Sequence, residues 1–163
     1  MKKAQAWGID ISVGIIIFIL GIIVFFIYTL NGSNEANENL EELNLNGDYI
    51  MNTILSEGFP SNWTLVDVTK IGILKNDKID QEKIENFYNI SRDNYTLTLA
   101  LFDTKYNYYF FFENMTIHGN DIEGFGKPGV NSTSINSKNL IKITRHTVYS
   151  NKPKTVYLYI WEE

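Results

Sequence analysis

The stretch SVGIIIFILGIIVFFIYTL, residues 12–30, decides the fold of this 163-residue chain. It contains no charged side chain, and as an α-helix rising about 1.5 Å per residue it would cross a bilayer core about 30 Å thick. A buried core helix is the alternative, but it would need a larger protein around it than the rest of this chain supplies. We therefore predict a single membrane span near the N-terminus.

The charges on either side of the span predict its orientation. Lys2 and Lys3 precede it, and the next basic residue is Lys70. Acidic residues follow it: Glu35, Glu38, Glu41, Glu42 and Asp48. Because basic residues favour the cytoplasmic side, the N-terminus is expected in the cytoplasm and the chain after residue 31 outside the cell membrane. The run is longer than the apolar core of an ordinary secretory signal, and no small-x-small cleavage site follows it.

The composition excludes several classes of function. The chain has no cysteine, which removes disulfide frameworks, thiolate nucleophiles, iron–sulfur clusters and cysteine-ligated zinc. Its net charge is −5 with 14 basic residues, whereas nucleic-acid binding depends on lysine and arginine contacts to phosphates. Nucleic acid is therefore not an expected partner.

Six Asn-x-Ser/Thr sequons occur in the part of the chain expected outside the membrane. Such acceptors serve exported surfaces, whereas an asparagine-rich composition is the alternative explanation for most of them. The candidate glycosylation sites are Asn31, Asn62, Asn89, Asn94, Asn114 and Asn131.

The residues before the span resemble a class III, or prepilin-type, signal peptide. Met1-Lys2-Lys3-Ala4-Gln5 places basic residues and a small residue directly before a long apolar helix. This signal is typical of type IV pilins and archaeal pilin-like proteins. The resemblance implies that a prepilin peptidase cleaves between Ala4 and Gln5. It also implies that the helix first lies in membrane lipid and then packs with copies of this chain or with pilin-like partner subunits.

The same resemblance suggests residues for assembly. Bacterial type IV pilins usually carry glutamate at the fifth mature position, which here is Ile9, and the carboxylate comes one residue later at Asp10. Asp10 is a candidate partner for the freed amine of a neighbouring subunit, or simply a group at the membrane interface. Gly14 and Gly21 would allow close approach of helices, although glycine is also common in membrane helices.

Most of the chain is similar to archaeal pilin-like proteins. The similarity rests on LSEGFPSNW at 55–63, IGIL at 71–74, YYFFFE at 108–113 and YIW at 159–161. It supports a class of protein, and it implies neither an active site nor a ligand.

The chain is expected to comprise a leader (1–4), a transmembrane and assembly helix (5–33), an amphipathic stalk helix (34–58) and an extracellular head (59–163). In the stalk, small or apolar residues recur at helical steps. They are Ala36, Leu40, Leu43, Gly47, Ile50 and Ile54. Asn46-Gly47 predicts a kink or a break, and Gly58 and Pro60 are expected to end the helix.

Hydrophobic patterning predicts a head with both helix and strand. A short strand is expected at residues 70–74, a turn at Asn76-Asp77 and a helix beginning at Asp80. Residues 106–113 carry aromatic side chains on both faces, which predicts a central strand. Residues 140–149 and 155–161 predict a hairpin with Val156, Leu158 and Ile160 facing the core, whereas residues 92–103 fit helix and strand equally.

The predicted fold class is therefore α+β, with the long N-terminal helix packed on a small antiparallel sheet. The pilin resemblance implies the same arrangement.

A search for chemistry in the sequence finds no recognisable catalytic constellation. His118 and His146 lack metal-ligand spacing, and residues 120–124 lack the spacing of an EF-hand loop. We expect no metal, no cofactor and no enzymatic activity. Tyr157, Tyr159 and Trp161 share one strand face, which is either a platform for sugars, cell surfaces or neighbouring subunits, or a face covered by the N-terminal helix.

The function expected from these features is that of a structural subunit in an archaeal type IV pilus-like filament, used for surface adhesion or a related assembly. One alternative is a single-pass membrane protein whose extracellular interaction domain never polymerises. Another is an ectoenzyme with its site in residues 115–138.

Overall fold

A computed structural model describes residues 2–113 and 124–162, with the backbone alone over residues 2–9 and 31–37. The chain divides into two compact units, Met1–Glu41 and Glu42–Glu163. The fold class is α+β, with an N-terminal apolar helix and antiparallel sheets, as predicted. The elements are α1 (Lys2–Ile54), β1 (Leu74–Lys75), β2 (Lys78–Ile79), α2 (Gln81–Asp93), α3 (Tyr95–Leu101), β3 (Asn107–Phe112), β4 (Gly124–Gly126), β5 (Leu140–Tyr149) and β6 (Lys152–Trp161).

A four-stranded antiparallel sheet, the large sheet, organises the second unit in the order β4-β3-β6-β5. The predicted central strand is confirmed, because β3 lies between β4 and β6. Alternation along β6 buries Val156, Leu158 and Ile160 on one face, which we call the inner face, as expected from the sequence. The opposite, outer face carries Tyr157, Tyr159 and Trp161.

The hydrophobic core lies against the inner face. Phe110 and Leu158 pair across β3 and β6, and Phe87 from α2 packs its ring 4.6 Å from that of Phe125 and 6.4 Å from that of Tyr108. Apolar residues of α1 complete this core: Leu43, Ile50, Met51 and Ile54. The stalk periodicity therefore identified Leu43, Ile50 and Ile54 correctly, but it missed Met51 and included Leu40, which is exposed.

Of the kink or break predicted near Gly47, the break is wrong, because α1 continues through this residue to Ile54, and the kink stays a prediction. Gly47 is buried, and a Cβ built on it would stand 2.5 Å from Cδ1 of Ile143 and 2.9 Å from Cγ2 of Ile160. The glycine thus lets the helix approach the sheet closely and does not form a turn. Asp48 fixes the same region by an ion pair with Arg145 on β5, at 2.7 Å.

The segment after α1 has little regular secondary structure, and its residues form backbone hydrogen bonds with one another. Residues 71–73, predicted as strand, have no strand geometry, and the small sheet begins only at Leu74. Two amides bond back to the end of α1 and to the residues just after it. Ile73 N–H donates to the Ile54 carbonyl at 2.8 Å, and Leu74 N–H donates to the Ser56 carbonyl at 2.9 Å. The prediction that Gly58 and Pro60 end the helix is wrong, because α1 already ends at Ile54; Gly58 has φ +73° in the loop that follows.

Other local predictions are confirmed or resolved. Asp80 caps α2, with its carboxylate accepting from Lys83 N–H at 3.1 Å. Most of the ambiguous segment 92–103 is helical, because Asn94 caps α3 by accepting from Leu97 N–H. The hairpin turn is tighter than predicted: Ser150 and Asn151 both have positive φ, so β6 already begins at Lys152.

Replacing Gly47 with leucine is expected to lower the free energy of unfolding by about 1–3 kcal/mol, although leucine is the better helix former by about 1 kcal/mol. The added side chain would collide with Ile143 and Ile160. Asn44→Leu is the matched control, since Asn44 is exposed on the same helix, and we expect it to change stability by less than about 0.5 kcal/mol. Urea unfolding of the full chain in detergent, followed by near-UV circular dichroism, measures both; equal effects would contradict the packing role of Gly47.

Candidate functional site

The apolar part of α1 is the first candidate functional region. Asp10–Leu30, 21 residues, is long and apolar enough to cross a membrane, and none of it is buried inside the protein. Its large side chains are exposed, as at Phe18 with 68% of its surface accessible. Exposed apolar surface on this scale requires lipid or other protein around it.

The predicted assembly residues lie on this helix. A Cβ built on Gly14 or Gly21 would find no described atom within 4 Å, so both glycines leave open space along the helix. Asp10 is exposed at the start of the span. Ala4 and Gln5 belong to the helical backbone of α1, and their side chains lie outside those described, so cleavage between them stays a prediction.

The outer face of the large sheet is the second candidate region. The interpretation that the N-terminal helix covers Tyr157, Tyr159 and Trp161 is wrong, because α1 packs at Gly47 against Ile143 and Ile160, which point to the opposite face. Tyr157 and Tyr159 are half-buried, and the ring of Phe111 from β3 lies 5.1 Å from each of theirs. Trp161 is buried, with 4% of its surface exposed.

Lys142 joins this aromatic face from the edge strand β5. It pairs with Tyr159 across the ladder, and its ammonium nitrogen lies 4.2 Å from the ring centroid of Tyr157 and 5.7 Å from that of Tyr159. A cation over an aromatic face is held electrostatically. The arrangement therefore presents aromatic rings and a positive charge side by side.

A cavity of about 550 Å³ opens beside Trp161. The segment before β5 forms most of its wall and is tied to the end of β6, because Ser137 Oγ donates to the Glu162 carbonyl at 2.8 Å. Its lining combines apolar, amide, hydroxyl and charged groups: Lys127, Val130, Ser134, Ile135, Asn136, Ser137, Lys138, Asn139, Trp161 and Glu162.

The sequons differ in their surroundings. Asn62 lies exposed in the loop after α1, and Asn131 lies exposed in a turn where its side chain accepts from the backbone amides of Thr133 and Ser134. The Asn94 side chain caps α3. In the sequon of Asn89, the serine at the third position, Ser91, is buried. The Asn31 side chain and all of Asn114 lie outside what the structure describes. Glycosylation at any of the six stays a prediction.

The buried Tyr108 and the half-buried Tyr95 form a structural hydrogen-bond network. Tyr108 donates its hydroxyl to Thr98 at 2.7 Å, and the Tyr95 hydroxyl accepts from the Tyr108 backbone amide at 3.1 Å. Burial raises the pKa of Tyr95 to about 12 and that of Tyr108 well above its ordinary value. Both phenols are therefore held neutral as partners of α3 and β3, and neither is poised as a base.

Lys83 is a buried cation with a structural role. Its ammonium group donates to the carbonyls of Glu57 and Leu74, at 2.7 Å each, and so ties the loop after α1 to β1. Desolvation lowers the pKa of Lys83, while the nearby carboxylates of Asp80 and Glu57 oppose that shift. Because the ammonium group of Lys83 is engaged by two backbone carbonyls, we assign Lys83 a structural role.

Metal-ligating groups do not converge in the described part of the chain. Among residues 2–113 and 124–162, no group of three His, Asp or Glu side chains could hold a metal ion. His146 is exposed on β5, with Nδ1 3.4 Å from Thr155 Oγ1. His118 and residues 120–123 lie outside the described residues.

Comparison with known proteins gives no relative: no protein-family model, curated protein or solved structure matches this chain. The two candidate regions are therefore argued from the geometry of this chain alone.

The sequence predicted only part of the second candidate region. Alternation identified the aromatic residues of β6, but Lys142 and the cavity were missed. Lys142 reaches these residues only through the register of β5 on β6, and the cavity depends on how residues 127–139 fold back on Trp161.

Proposed function

We propose that this protein is a structural subunit of an archaeal type IV pilus-like filament. The observation that carries the proposal is the exposed apolar segment Asp10–Leu30 at the start of a helix whose end packs into an α+β unit. Such a segment can lie in lipid before assembly and among identical helices afterwards, because both surroundings cover apolar side chains. The role proposed is structural and not enzymatic.

Processing and topology belong to the same proposal. A prepilin peptidase removes residues 1–4 between Ala4 and Gln5, and the N-terminus faces the cytoplasm while the second unit lies outside the cell. The charge asymmetry around the span supports this orientation, since Lys2 and Lys3 precede the span and the next basic residue after it is Lys70. A filament of identical subunits uses one repeated heterologous contact whose rotation does not close into a ring.

A single-pass membrane protein with an extracellular interaction domain is the second candidate function. Asp10 favours it, because the carboxylate stands one residue later than in the bacterial pilins that the N-terminus resembles. The aromatic outer face is also compatible with a domain that binds outside the cell without polymerising.

Mechanical shearing of cells separates these two functions. We expect an epitope-tagged copy of the full chain to be released by shearing, to sediment with filaments in ultracentrifugation and to label along their length in immunoelectron microscopy. Retention of all the tagged protein in the membrane fraction, with another surface filament released normally as the control, would contradict the filament role and favour the second candidate.

A further inference from the structure

The outer face of the large sheet places three ring-bearing residues in a row along β6. Tyr157, Tyr159 and Trp161 alternate on one face, so successive members are spaced by about 7 Å. Phe111 packs beside both tyrosines at 5.1 Å and fixes their rings. Neither tyrosine hydroxyl makes a hydrogen bond to any residue in the described part of the chain. The row therefore combines fixed rings with available hydrogen-bonding groups.

Rings flanked by hydrogen-bonding groups match the surface of a sugar. The C–H groups on one side of a pyranose pack against an aromatic ring, while its hydroxyls require donors and acceptors beside that ring. Tyrosine supplies both, since it has an apolar body and a polar tip. A purely apolar partner would leave the hydroxyls of Tyr157 and Tyr159 unpaired on binding, which is costly.

The charge beside the row is positive. Lys142 lies over Tyr157, with 4.2 Å from its ammonium nitrogen to the ring centroid, and is exposed. Within the described ranges it makes no ion pair with a carboxylate. Its charge is therefore available to an anionic ligand.

A cavity lies at the end of β6, and Trp161, the last member of the row, is part of its lining. Its volume of about 550 Å³ lies within the usual range of small-ligand sites, about 300–1,000 Å³. Trp161 is 4% exposed, and its indole N–H, which makes no hydrogen bond to a described residue, belongs to the accessible part of the side chain.

We propose that the outer face binds an acidic saccharide, a chain of uronic-acid type, which enters the cavity at Trp161 and runs over Tyr159 and Tyr157. Trp161 donates its indole N–H to a ligand oxygen, and Lys142 turns away from the ring of Tyr157 to pair with a carboxylate. The ring face that Lys142 leaves and the ring of Tyr159 then pack against sugar faces. Binding depends on the second unit alone, so it goes beyond the filament role and does not require it.

Isothermal titration calorimetry of the full chain in detergent micelles tests the proposal. The probes are tetragalacturonate and hyaluronan hexasaccharide, with the methyl ester of tetragalacturonate as a neutral match. We expect both acids to bind and the ester to bind at least about tenfold more weakly. Lys142→Gln, at an exposed position, should remove most of this preference for the acid, and Tyr157→Ala should weaken binding at least about tenfold.

Two control variants make the same types of substitution, Tyr→Ala and Lys→Gln, at positions away from the outer face. Tyr49 is exposed on α1 and Lys152 is exposed at the start of β6, so Tyr49→Ala and Lys152→Gln should leave affinity unchanged. Trp161→Phe keeps the apolar ring but loses the N–H, and it should weaken binding about fivefold. The proposal is overturned if neither acid binds at about 10 mM, if the ester binds as tightly as the acid, or if the controls weaken binding as much as Tyr157→Ala.

Discussion

A lysine at Leu20 should leave the protein in the membrane and abolish its incorporation into filaments. At the centre of a span a lysine costs about 2.5–3.5 kcal/mol, whereas each leucine, isoleucine, valine or phenylalanine contributes about 0.3–0.6 kcal/mol in favour of insertion. The remaining apolar side chains of Asp10–Leu30 outweigh the lysine, so the anchor still inserts. In a filament, however, the charge of every copy would lie among apolar helices without a partner. We expect the sheared filament fraction to contain at least about tenfold less of Leu20→Lys than of the parent protein.

Tyr28→Lys is the matched control for this prediction. Tyr28 lies near the far end of the span and is exposed, so a lysine there can extend its ammonium group out of the apolar layer. Immunoblots of membrane and sheared fractions compare the two variants. Filaments that contain Leu20→Lys at the parental level would contradict packing of this helix inside an assembly.

Trp63→Ala is expected to have the largest effect on the stability of the second unit. Trp63 has 2% of its surface exposed, and its indole N–H donates to the Gly72 carbonyl at 2.8 Å. Removing the ring creates a cavity that costs about 3–5 kcal/mol, and the buried carbonyl of Gly72 loses its partner. Since domains are stable by only about 5–15 kcal/mol, the variant should be partly unfolded near physiological temperature.

The environment of Trp63 explains why the loop after α1 cannot rearrange to fill that cavity. A Cβ built on Gly58 would stand 2.8 Å from Cδ1 of Trp63, and one built on Gly72 would collide with the backbone of Gly58 and Ser56. The two glycine segments are therefore already in contact beneath the ring.

Thermal and urea unfolding in detergent, followed by near-UV circular dichroism, measures the effect of Trp63→Ala. Val66→Ala, at a 95% exposed position in the same loop, should shift stability by less than about 0.5 kcal/mol. Trp63→Phe keeps most of the apolar volume and should fall between the two. A loss below about 1 kcal/mol in Trp63→Ala would show that the loop is not organised around this ring.

The features of the fold that could be predicted from sequence are those set by a short repeat of apolar residues or by a residue that caps a helix. Alternation along residues 156–160 correctly separated the buried Val156, Leu158 and Ile160 from the outer tyrosines, and Asp80 correctly marked the start of α2. Gly47 was misread because its role depends on a contact with β5 and β6, far away in sequence. The local sequence around a glycine between two polar residues is the same whether the glycine forms a turn or allows a helix to pack closely against a sheet.

The candidate sites were predictable to different degrees. The segment Asp10–Leu30, which is long and apolar enough to cross a membrane, was evident from composition alone, because only its length and apolar side chains identify it. The aromatic outer face was only partly evident, since Tyr157 and Tyr159 follow from alternation whereas Lys142 joins them through strand register. Residues 71–73 looked like a strand because they are apolar, yet the Ile73 amide bonds to the Ile54 carbonyl of α1 instead of to a neighbouring strand.

The N-terminal residue and intact mass of the protein, purified from the membranes of the cells that make it, test the filament role most directly. A prepilin-type subunit begins at Gln5, because the peptidase removes Met1 to Ala4 and leaves the apolar helix attached. We predict a mass that corresponds to residues 5–163, with any modification of the new amine or of the sequons added to it. A chain that still begins at Met1 or Lys2 would contradict the pilin-like role and identify the helix as a permanent signal anchor.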